Sequence, residues 1–324
     1  MSITEFELIQ DYFARDGLSF FSPNVPLAIG DDCALLQFDA DEQLVISIDT
    51  QVEGVHFPKD ASPDLIAQRA LRCALSDLAA MAAEPVAFTL AITLPEAKPE
   101  WLERFSLGLL EVAQYYQMPL IGGDTTKGPL TISIQVHGKV KVGRAVRRSG
   151  AQVGDLVCVT GCLGDAGAAL SSINKEIQLE KSDESYLLDR FYKPEPRIAL
   201  AKRIADKVTA MIDISDGVLA DLAHIAKASR VSAAVELNQI PLSLVMQKAF
   251  SPEKQLQLAS GFGDDYELCF TVSKRDVPLL QRIGEKLDVP ITIIGEIVAQ
   301  ENSPLVVFQS GQQKINSKAG YSHF

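Results

Sequence analysis

Short acidic segments that follow apolar runs are the feature of this sequence that most restricts its fold. The clearest comes after Met118–Ile121, where the chain reads Gly122-Gly-Asp-Thr-Thr-Lys-Gly128. Adjacent glycines let backbone N–H groups approach a ligand closely, and a carboxylate with two hydroxyls supplies the hard oxygen ligands that Mg²⁺ prefers. The pattern predicts a strand that ends at a site for a metal-bound nucleotide. A plain Gly-Gly-Asp turn is the alternative.

The same chemistry recurs along the chain, mostly where an apolar run gives way to a loop, which is where α/β folds build their sites. If such carboxylates converge at about 4 Å, each like-charged pair costs about 4 kcal/mol at an effective dielectric constant of 20. Cations must then fill the space between them, and Mg²⁺ with a polyphosphate meets that need. The segments are Gly30-Asp31-Asp32, Ser47-Ile48-Asp49-Thr50, Ser76-Asp77, Asp213-Ile214-Ser215-Asp216-Gly217 and Gly263-Asp264-Asp265.

The composition is that of a soluble globular protein with enough apolar residues for about two domains, at 324 residues, 47% hydrophobic and 22% charged. A net charge of −12 argues against a general nucleic-acid or membrane-surface binder. The five cysteines are dispersed and lack a zinc-site pattern, so we expect reduced thiols. Acids at the N-terminus and the lack of a long apolar span predict a cytoplasmic protein.

Periodicity in the first half predicts helices and strands around these segments. Ala34–Phe38 and Leu44–Asp49 favour a hairpin, and Ser62 with Pro63 begins a helix that runs to about Ala83. On that helix Asp77 shares a face with small and apolar residues, so this acid needs a partner. The other predicted elements are a helix over 4–15, a strand Val86–Leu94, a helix Pro99–Gln117 and a strand Leu130–Val142.

A break near Gly143–Gly154 predicts the domain junction, because glycines and arginines interrupt the apolar periodicity there. We predict an α+β N-terminal domain with a mixed or antiparallel sheet over 1–143. A second domain would cover 150–324. In the second domain Gly161-Cys-Leu-Gly164-Asp-Ala-Gly167 fits either a phosphate loop or strand-to-helix packing.

Several reaction types are excluded by missing motifs. The sequence has neither a Walker A loop nor a protein-kinase catalytic loop. Its four histidines do not sit in the context of a catalytic triad, so triad hydrolysis is not expected.

Taken together, the acidic motifs resemble those of thiamine-monophosphate kinases, which belong to the superfamily of aminoimidazole ribonucleotide synthetase. The resemblance spans nearly the whole chain and implies the two-domain architecture of that superfamily. The α+β N-terminal domain would bind metal and nucleotide and dimerise through its sheet, and an α/β C-terminal domain over 150–324 would complete the ATP and substrate site. It rests on Gly30-Asp-Asp-Cys-Ala34, Asp49-Thr-Gln-Val-Glu-Gly-Val-His-Phe57, Leu75-Ser-Asp-Leu-Ala-Ala-Met81, Gly122-Gly-Asp-Thr-Thr126, Asp213-Ile-Ser-Asp-Gly217, Gly263-Asp-Asp-Tyr-Glu-Leu268 and Gly320-Tyr-Ser-His-Phe324.

The resemblance also implies residue roles. ATP contacts would come from Gly123, Asp124, Arg148 and Ser215, and thiamine phosphate contacts from His56, Asp264 and Tyr321. At Asp264 the family usually has glutamate, so this chain departs from the pattern by one methylene group. Several Mg²⁺ ions would be held by Asp32, Ser47, the Ile48 carbonyl, Asp49, Asp77, Asp124, Asp213 and Asp216.

The expected function is therefore Mg²⁺- and ATP-dependent phosphorylation of thiamine phosphate to thiamine diphosphate, by direct in-line transfer and in a homodimer. Positioning and charge neutralisation suffice for phosphoryl transfer, so no catalytic side chain is assigned. The alternatives are an ATP-dependent ligase or cyclase of the same superfamily and a non-catalytic metal-nucleotide sensor. Asp31 and Asp265 have a plainer interpretation as capping or turn residues.

Overall fold

The chain divides into two units in a computed structural model that describes residues 5–300, 306–310 and 313–315. Unit 1 comprises the described residues up to Leu78 together with Ala83–Gly143. Unit 2 comprises Ala79–Ala82 and the described residues from Arg144 onward.

Unit 1 is a mixed four-stranded sheet with two long helices. The strand order is β1-β4-β2-β3, with β4 antiparallel to both neighbours and β2 parallel to β3. The elements are α1 (Glu5–Leu8), which continues as a π-helix (Ile9–Phe13), β1 (Glu42–Val52), α2 (Pro63–Ala80), β2 (Glu84–Leu94), α3 (Pro99–Tyr116), β3 (Leu120–Lys127) and β4 (Thr131–Lys141).

Helix α2 is the buried helix of unit 1. Every residue of the stretch 66–76 is buried, whereas Asp77 is only partly buried. Alanine and leucine make up five of these eleven residues, and they combine high helix propensity with apolar surface. Asp77 is therefore a partly open acid directly after the buried stretch of α2.

The predicted hairpin is wrong. Strand β1 pairs along its full length with β4, with Ser47 opposite Val136, and Ala34–Phe38 forms no strand. Leu35 makes a single bridge to Leu27, while Leu36 and Phe38 pack against a small apolar cluster that includes Val86. Alternation in the sequence indicated a strand near residue 45, but the partner lies about ninety positions away, where a local pattern carries no information.

The segment Gly122–Lys127 also differs from the prediction, because it lies inside β3 instead of following a strand. Asp124 pairs in register with Ala91 of β2, and the pairing runs on to Lys127. Strand β3 is an edge strand, so one side of its backbone is not paired within the sheet.

Unit 2 contains a seven-stranded sheet in the order β11-β10-β7-β9-β5-β8-β6. Only β10 and β7 are parallel, so this sheet is mixed and mainly antiparallel. The elements are β5 (Leu156–Thr160), α4 (Asp165–Ile173), α5 (Lys181–Tyr192), α6 (Ile198–Ile204), β6 (Val208–Asp213), α7 (Val218–Ser229), β7 (Ser232–Glu236), a 3₁₀ turn (Leu237–Gln239), α8 (Leu244–Ala249), α9 (Pro252–Gly261), β8 (Leu268–Val272), α10 (Val277–Lys286), β9 (Ile291–Val298), β10 (Val306–Ser310) and β11 (Gln313–Ile315).

The core of unit 2 packs α7 against the sheet. Val218, Leu222 and Ile225 recur at helical spacing on α7 and are fully buried with Val157 and Ile212 of the strands. This packing fixes the start of α7 directly after the end of β6, which is where Asp213, Ser215 and Asp216 lie.

The five cysteines are all free thiols: Cys73, Cys158 and Cys269 are buried, Cys162 is partly buried and Cys33 is exposed. No helix in the described part of the chain is both long and apolar enough to cross a membrane.

Candidate active site

A first group of predicted ligands lies where β1 passes α2. Ser47 and Asp49 are two apart on β1 and share one face of the strand, and the Ser47 hydroxyl donates a hydrogen bond to the Asp77 carboxylate. Burial, and secondly the charge of Asp77, raise the pKa of Asp49 to about 7. Two carboxylates and a hydroxyl in one partly buried place form a set of hard oxygen atoms that a divalent cation would stabilise.

Ile48 points away from this group. Its side chain is 61% exposed on the opposite face of β1, beside Ile46 at 52% and Leu44 at 43%. Only its backbone carbonyl is predicted to bind metal. The side chains of these residues form an apolar stripe on the edge strand of the sheet.

A second group lines a cavity of about 840 Å³ within unit 1. That volume falls in the range of about 300–1,000 Å³ that is usual for small-molecule sites. Asp32, Gly123 and Asp124 lie along it, and Ile9 and Phe13 supply apolar surface. Asp31 also borders the cavity, where its carboxylate accepts the N–H of Asp32 at 2.8 Å. This bond agrees with the interpretation of Asp31 as a turn residue.

The two glycines of β3 have different structural roles. A Cβ atom on Gly123 would lie 1.8 Å from the carbonyl oxygen of Leu90, so only glycine allows β3 to pair with β2 at this point. A Cβ atom on Gly122 would meet nothing within 4 Å. Both glycines border the cavity, but only Gly123 is also required by the sheet.

His56 lies in the turn that follows β1. Its Nδ1 atom accepts the backbone N–H of Val52 at 3.0 Å, and its carbonyl oxygen accepts a hydrogen bond from Arg69 Nε at 3.2 Å. Because Nδ1 is an acceptor, the ring proton of the neutral imidazole lies on Nε2, which can donate to an anion. The turn that follows β1, the strand that carries Ser47 and Asp49, therefore fixes the orientation of the His56 ring.

A third group lies in unit 2 where β6 ends and α7 begins. Asp213 is 4% exposed, and Ser215 and Asp216 follow in the connecting loop. The backbone N–H groups of Ser215 and Asp216 both donate to the carboxylate of Asp221, each at 3.1 Å. Burial, and then the charges of Asp213 and Asp216, raise the pKa of Asp221 to about 8.

The sequence interpretation missed Asp221. The available signal was an acid in the first turn of a helix, flanked by Leu219 and Leu222, five residues after Asp216. An acid between apolar neighbours at that spacing faces back toward the loop that precedes the helix.

The segment 264–267 packs against that loop through its backbone. The N–H of Asp264 donates to the Ser215 carbonyl at 2.8 Å, and the N–H of Tyr266 donates to the Ile214 carbonyl at 2.9 Å. Both residues have positive φ, 66° for Asp264 and 51° for Tyr266, which is a strained conformation for a side-chain-bearing residue. Asp264, the predicted substrate contact, is thus held beside Ser215, the predicted ATP contact.

Alternate residues of the segment are buried and anchor it. Asp265 is 3% exposed, and its two carboxylate oxygens accept the N–H of Gly164 at 3.0 and 2.9 Å. Burial raises the pKa of Asp265 well above its usual value. The N–H at the start of α4 is therefore occupied by a carboxylate of the protein, which favours packing over phosphate binding for the loop 161–167. Asp265 is a capping residue, as the plainer interpretation had it.

Glu267 is the centre of a buried ion cluster. Arg197 Nε and Arg190 donate to its carboxylate at 2.7 and 2.8 Å, and the Thr160 hydroxyl does so at 2.6 Å. Burial alone would raise the pKa of Glu267, but Arg197, Arg190 and Thr160 together lower it to about 2. The cluster connects the start of β8 to α5 and to the start of α6.

Two further residues were predicted to bind the substrates. Arg148 is exposed in the chain that enters unit 2, whereas Arg144 pairs with Asp206 at 2.9 Å on the surface. Tyr321, with the motif Gly320–Phe324, lies outside the described residues. In the described part of the chain, no group of three or more His, Cys, Asp or Glu side chains is arranged to hold a metal ion.

Comparison with known proteins fits the two units. The model for AIR synthase related protein, N-terminal domain, matches residues 30–140, and that for the C-terminal domain of the same family matches residues 152–307. A thiamine-monophosphate kinase of Escherichia coli K12 is 43% identical over 325 residues, which is 100% of this chain and 99% of that relative. The chain belongs to the thiamine-monophosphate kinase family.

Solved structures of this family have the same fold. A thiamine-monophosphate kinase from Stenotrophomonas maltophilia K279a superposes with a TM-score of 0.86 at 40% identity, covering 95% of this chain and 97% of that one. The structure of AaThiL complexed with AMPPCP and TMP gives a TM-score of 0.76 at 29% identity, covering 92% of each chain. The predicted two-domain architecture, which resembles aminoimidazole ribonucleotide synthetase, is confirmed.

Proposed function

We propose that this protein transfers the γ-phosphoryl group of ATP to thiamine phosphate, with Mg²⁺, and forms thiamine diphosphate. The observation that carries the proposal is full-length membership of the kinase family, with 43% identity over 100% of the chain. A relative with both an ATP analogue and TMP bound further supports the pair of substrates. The ligase and sensor alternatives have no comparable support.

The donor atoms present fit Mg²⁺. Asp49 is partly buried next to the like charge of Asp77, with the Ser47 hydroxyl beside it, and this arrangement is costly unless a cation is near. In unit 1 the ions would be held by Asp32, Ser47, the Ile48 carbonyl, Asp49, Asp77 and Asp124, and in unit 2 by Asp213 and Asp216. Bound Mg²⁺ neutralises charge on the transferred phosphoryl group and on the acceptor phosphate.

Other side chains position the two substrates. Arg148 and the backbone at Gly123, Asp124 and Ser215 would bind the nucleotide. His56, Asp264 and Tyr321 would bind thiamine phosphate, with the Nε2 proton of His56 available to an anionic oxygen. The acceptor phosphate is itself an anionic nucleophile, so direct attack needs no general base and no phosphorylated side chain.

A turnover assay tests the activity. Purified protein with ATP, Mg²⁺ and thiamine phosphate should form ADP and thiamine diphosphate in equal amounts, and neither should form when thiamine phosphate is omitted. Incubation with γ-labelled ATP alone should leave no label on denatured protein. Stoichiometric label that chases into thiamine diphosphate would overturn direct transfer, and ATP turnover that is independent of thiamine phosphate would overturn the activity.

The cavity of unit 1 offers a separate test of nucleotide binding. Cys33 lines this cavity and is exposed, whereas the other cysteines are buried or partly buried. A thiol reagent should therefore label Cys33 first, and Mg-ATP should slow that labelling several-fold. A Cys33→Ser variant identifies the labelled residue. Equal labelling rates with and without saturating Mg-ATP would remove the cavity from the nucleotide site.

The exposed stripe on β1 supports a homodimer. Leu44, Ile46 and Ile48 place apolar side chains on one face of an edge strand, where water would otherwise meet them. A second copy of the chain presents the same stripe, which is the self-complementary arrangement of a two-fold interface.

A further inference from the structure

Asp221 makes bonds that a surface acid would not make. It is 2% exposed in the first turn of α7, and its Oδ2 atom accepts the N–H of Ser215 and that of Asp216. These are consecutive backbone donors in the loop between β6 and α7. An acceptor oxygen shared by two neighbouring N–H groups restricts both peptide planes, because each donor must point at the same oxygen.

The segment 264–267 makes further backbone hydrogen bonds to the same loop. Ile214 donates its N–H to the Glu267 carbonyl at 2.8 Å and accepts from Tyr266, while the Ser215 carbonyl accepts from Asp264. The backbone of residues 214–216 is thus hydrogen-bonded both to the segment that precedes β8 and to Asp221. Only Asp221 holds the N–H of Asp216 among these contacts.

Keeping a polar side chain at this position is costly. Asp221 is 2% exposed beside two other acids, Asp213 and Asp216, and a buried polar group is unfavourable unless it is hydrogen-bonded. An apolar residue would pack in the first turn of α7 without that cost. The cost is understandable if the loop needs an oxygen acceptor to keep its conformation.

We propose that Asp221 is a positioning residue, which orients Ser215 and Asp216 through their backbone N–H groups for binding of nucleotide and metal. The inference rests on the proposed kinase function. Groups that orient metal ligands in this indirect way typically change metal affinity or activity by about 10–100-fold when removed.

The experiment compares Asp221→Ala and Asp221→Asn with the wild type, at a temperature well below thermal unfolding. In Asp221→Ala, kcat should fall about 10–100-fold, and the Mg²⁺ concentration for half-maximal rate should rise. Asp221→Asn keeps an oxygen acceptor but replaces the carboxyl group by an amide. It should therefore lie between wild type and Asp221→Ala in both quantities, with kcat lowered about 10-fold. Calorimetry with Mg²⁺ and a non-hydrolysable ATP analogue measures binding without turnover and should show the same order.

Asp155 provides the matched control. It is also a buried acid of unit 2, 6% exposed, and its carboxylate accepts the N–H of Gln152 at 2.9 Å and the hydroxyl of Thr209 at 2.7 Å. Asp155→Asn and Asp155→Ala should lower stability but keep kcat and the Mg²⁺ midpoint within about twofold.

The inference is overturned if the Asp221 variants differ from the Asp155 variants in stability alone. If Asp221→Ala does not fold, Asp221→Asn decides alone, and wild-type kcat with wild-type nucleotide binding in that variant refutes the role. Failure of the wild type to phosphorylate thiamine phosphate refutes the proposed function instead, and the calorimetry still reports on Asp221.

Discussion

At the scale of single residues, Asp77 is the acid whose removal best separates metal binding from folding. Ionised Asp77 and Asp49 repel one another in the absence of metal, which is one reason why the pKa of Asp49 is raised to about 7. At pH 8 without Mg²⁺, Asp77→Asn should therefore have an equal or higher Tm than wild type. Turnover should fall about 100-fold or more, since a charge-stabilising ligand is lost.

The control for Asp77 lies on the same helix. Asp64, at the start of α2, pairs with Arg104 at 2.7 Å near the surface. Asp64→Asn should keep turnover within about twofold, as expected for an exposed pair. Turnover of Asp77→Asn that is also close to wild type at low Mg²⁺ would remove Asp77 from the metal site.

Asp264 is the residue where this chain departs from its family. Its backbone N–H holds it beside Ser215. Its side chain is one methylene group shorter than that of glutamate. Asp264→Ala should raise the KM for thiamine phosphate at least about tenfold, and much more than the KM for ATP, because only acceptor binding is lost. Asp264→Glu should keep the KM for thiamine phosphate near wild type. Equal changes in both KM values for Asp264→Ala would assign the residue to the metal ligands.

At the scale of elements, β3 depends on a glycine for its pairing with β2. A methyl group on Gly123 would overlap the Leu90 carbonyl, whereas one on Gly122 has free space. Gly123→Ala should cost about 1–3 kcal/mol of unfolding free energy, in the range for overpacked sites. Gly122→Ala should stay within about 1 kcal/mol in the same urea titration. Equal stability of the two variants would contradict the close approach of β3 to β2.

The Glu267 cluster between β8, α5 and α6 should make stability depend on acid. The pKa of Glu267 is lowered from 4.5 to about 2, so its stabilising contribution is complete above about pH 4.5 and is lost as the pH falls through about 2. Glu267→Gln should cost about 3–5 kcal/mol at pH 7, as expected for a broken buried ion pair.

The difference in unfolding free energy between wild type and Glu267→Gln should then shrink as the pH falls from 4.5 to 2. Urea unfolding of both proteins at each pH measures this difference. Comparing the two proteins cancels the titration of the other groups. Glu296, which pairs with Lys274 at 2.9 Å on the surface, is the control. Glu296→Gln should cost at most about 1 kcal/mol. A pH-independent difference for Glu267→Gln would mean that the cluster does not hold the ionised form.

At the scale of the whole molecule, the proposed homodimer follows from the stripe on β1. Wild type should sediment at about twice 35.2 kDa at micromolar concentration. Ile46→Lys puts a charge into the apolar stripe and should give the monomer, because an unpaired charge is costly to bury in an interface. Leu279→Lys, at an exposed apolar position of α10, should remain dimeric. A wild-type species of only 35.2 kDa would refute the dimer.

The sequence by itself determined most of the helices and strands and the surroundings of Ser47, Asp49 and Asp77. Helical spacing gave Asp77 small and apolar neighbours on one face of α2, and the two-residue period of a strand puts Ser47 and Asp49 on one face of β1. Both are consequences of backbone geometry over a few residues, which local sequence encodes directly. The family motifs extended this to the two-domain fold.

The tertiary structure alone decided the partners. It paired β1 with β4 instead of with Ala34–Phe38, and it made Gly123, but not Gly122, necessary for the close approach of β3 to β2. It also gave the neighbouring acids Asp264 and Asp265 different surroundings. Asp265 is buried against Gly164, whereas Asp264 is half-buried beside Ser215. Such roles depend on atoms brought close from distant parts of the chain, and the pattern of neighbouring residues does not specify which distant atoms those are.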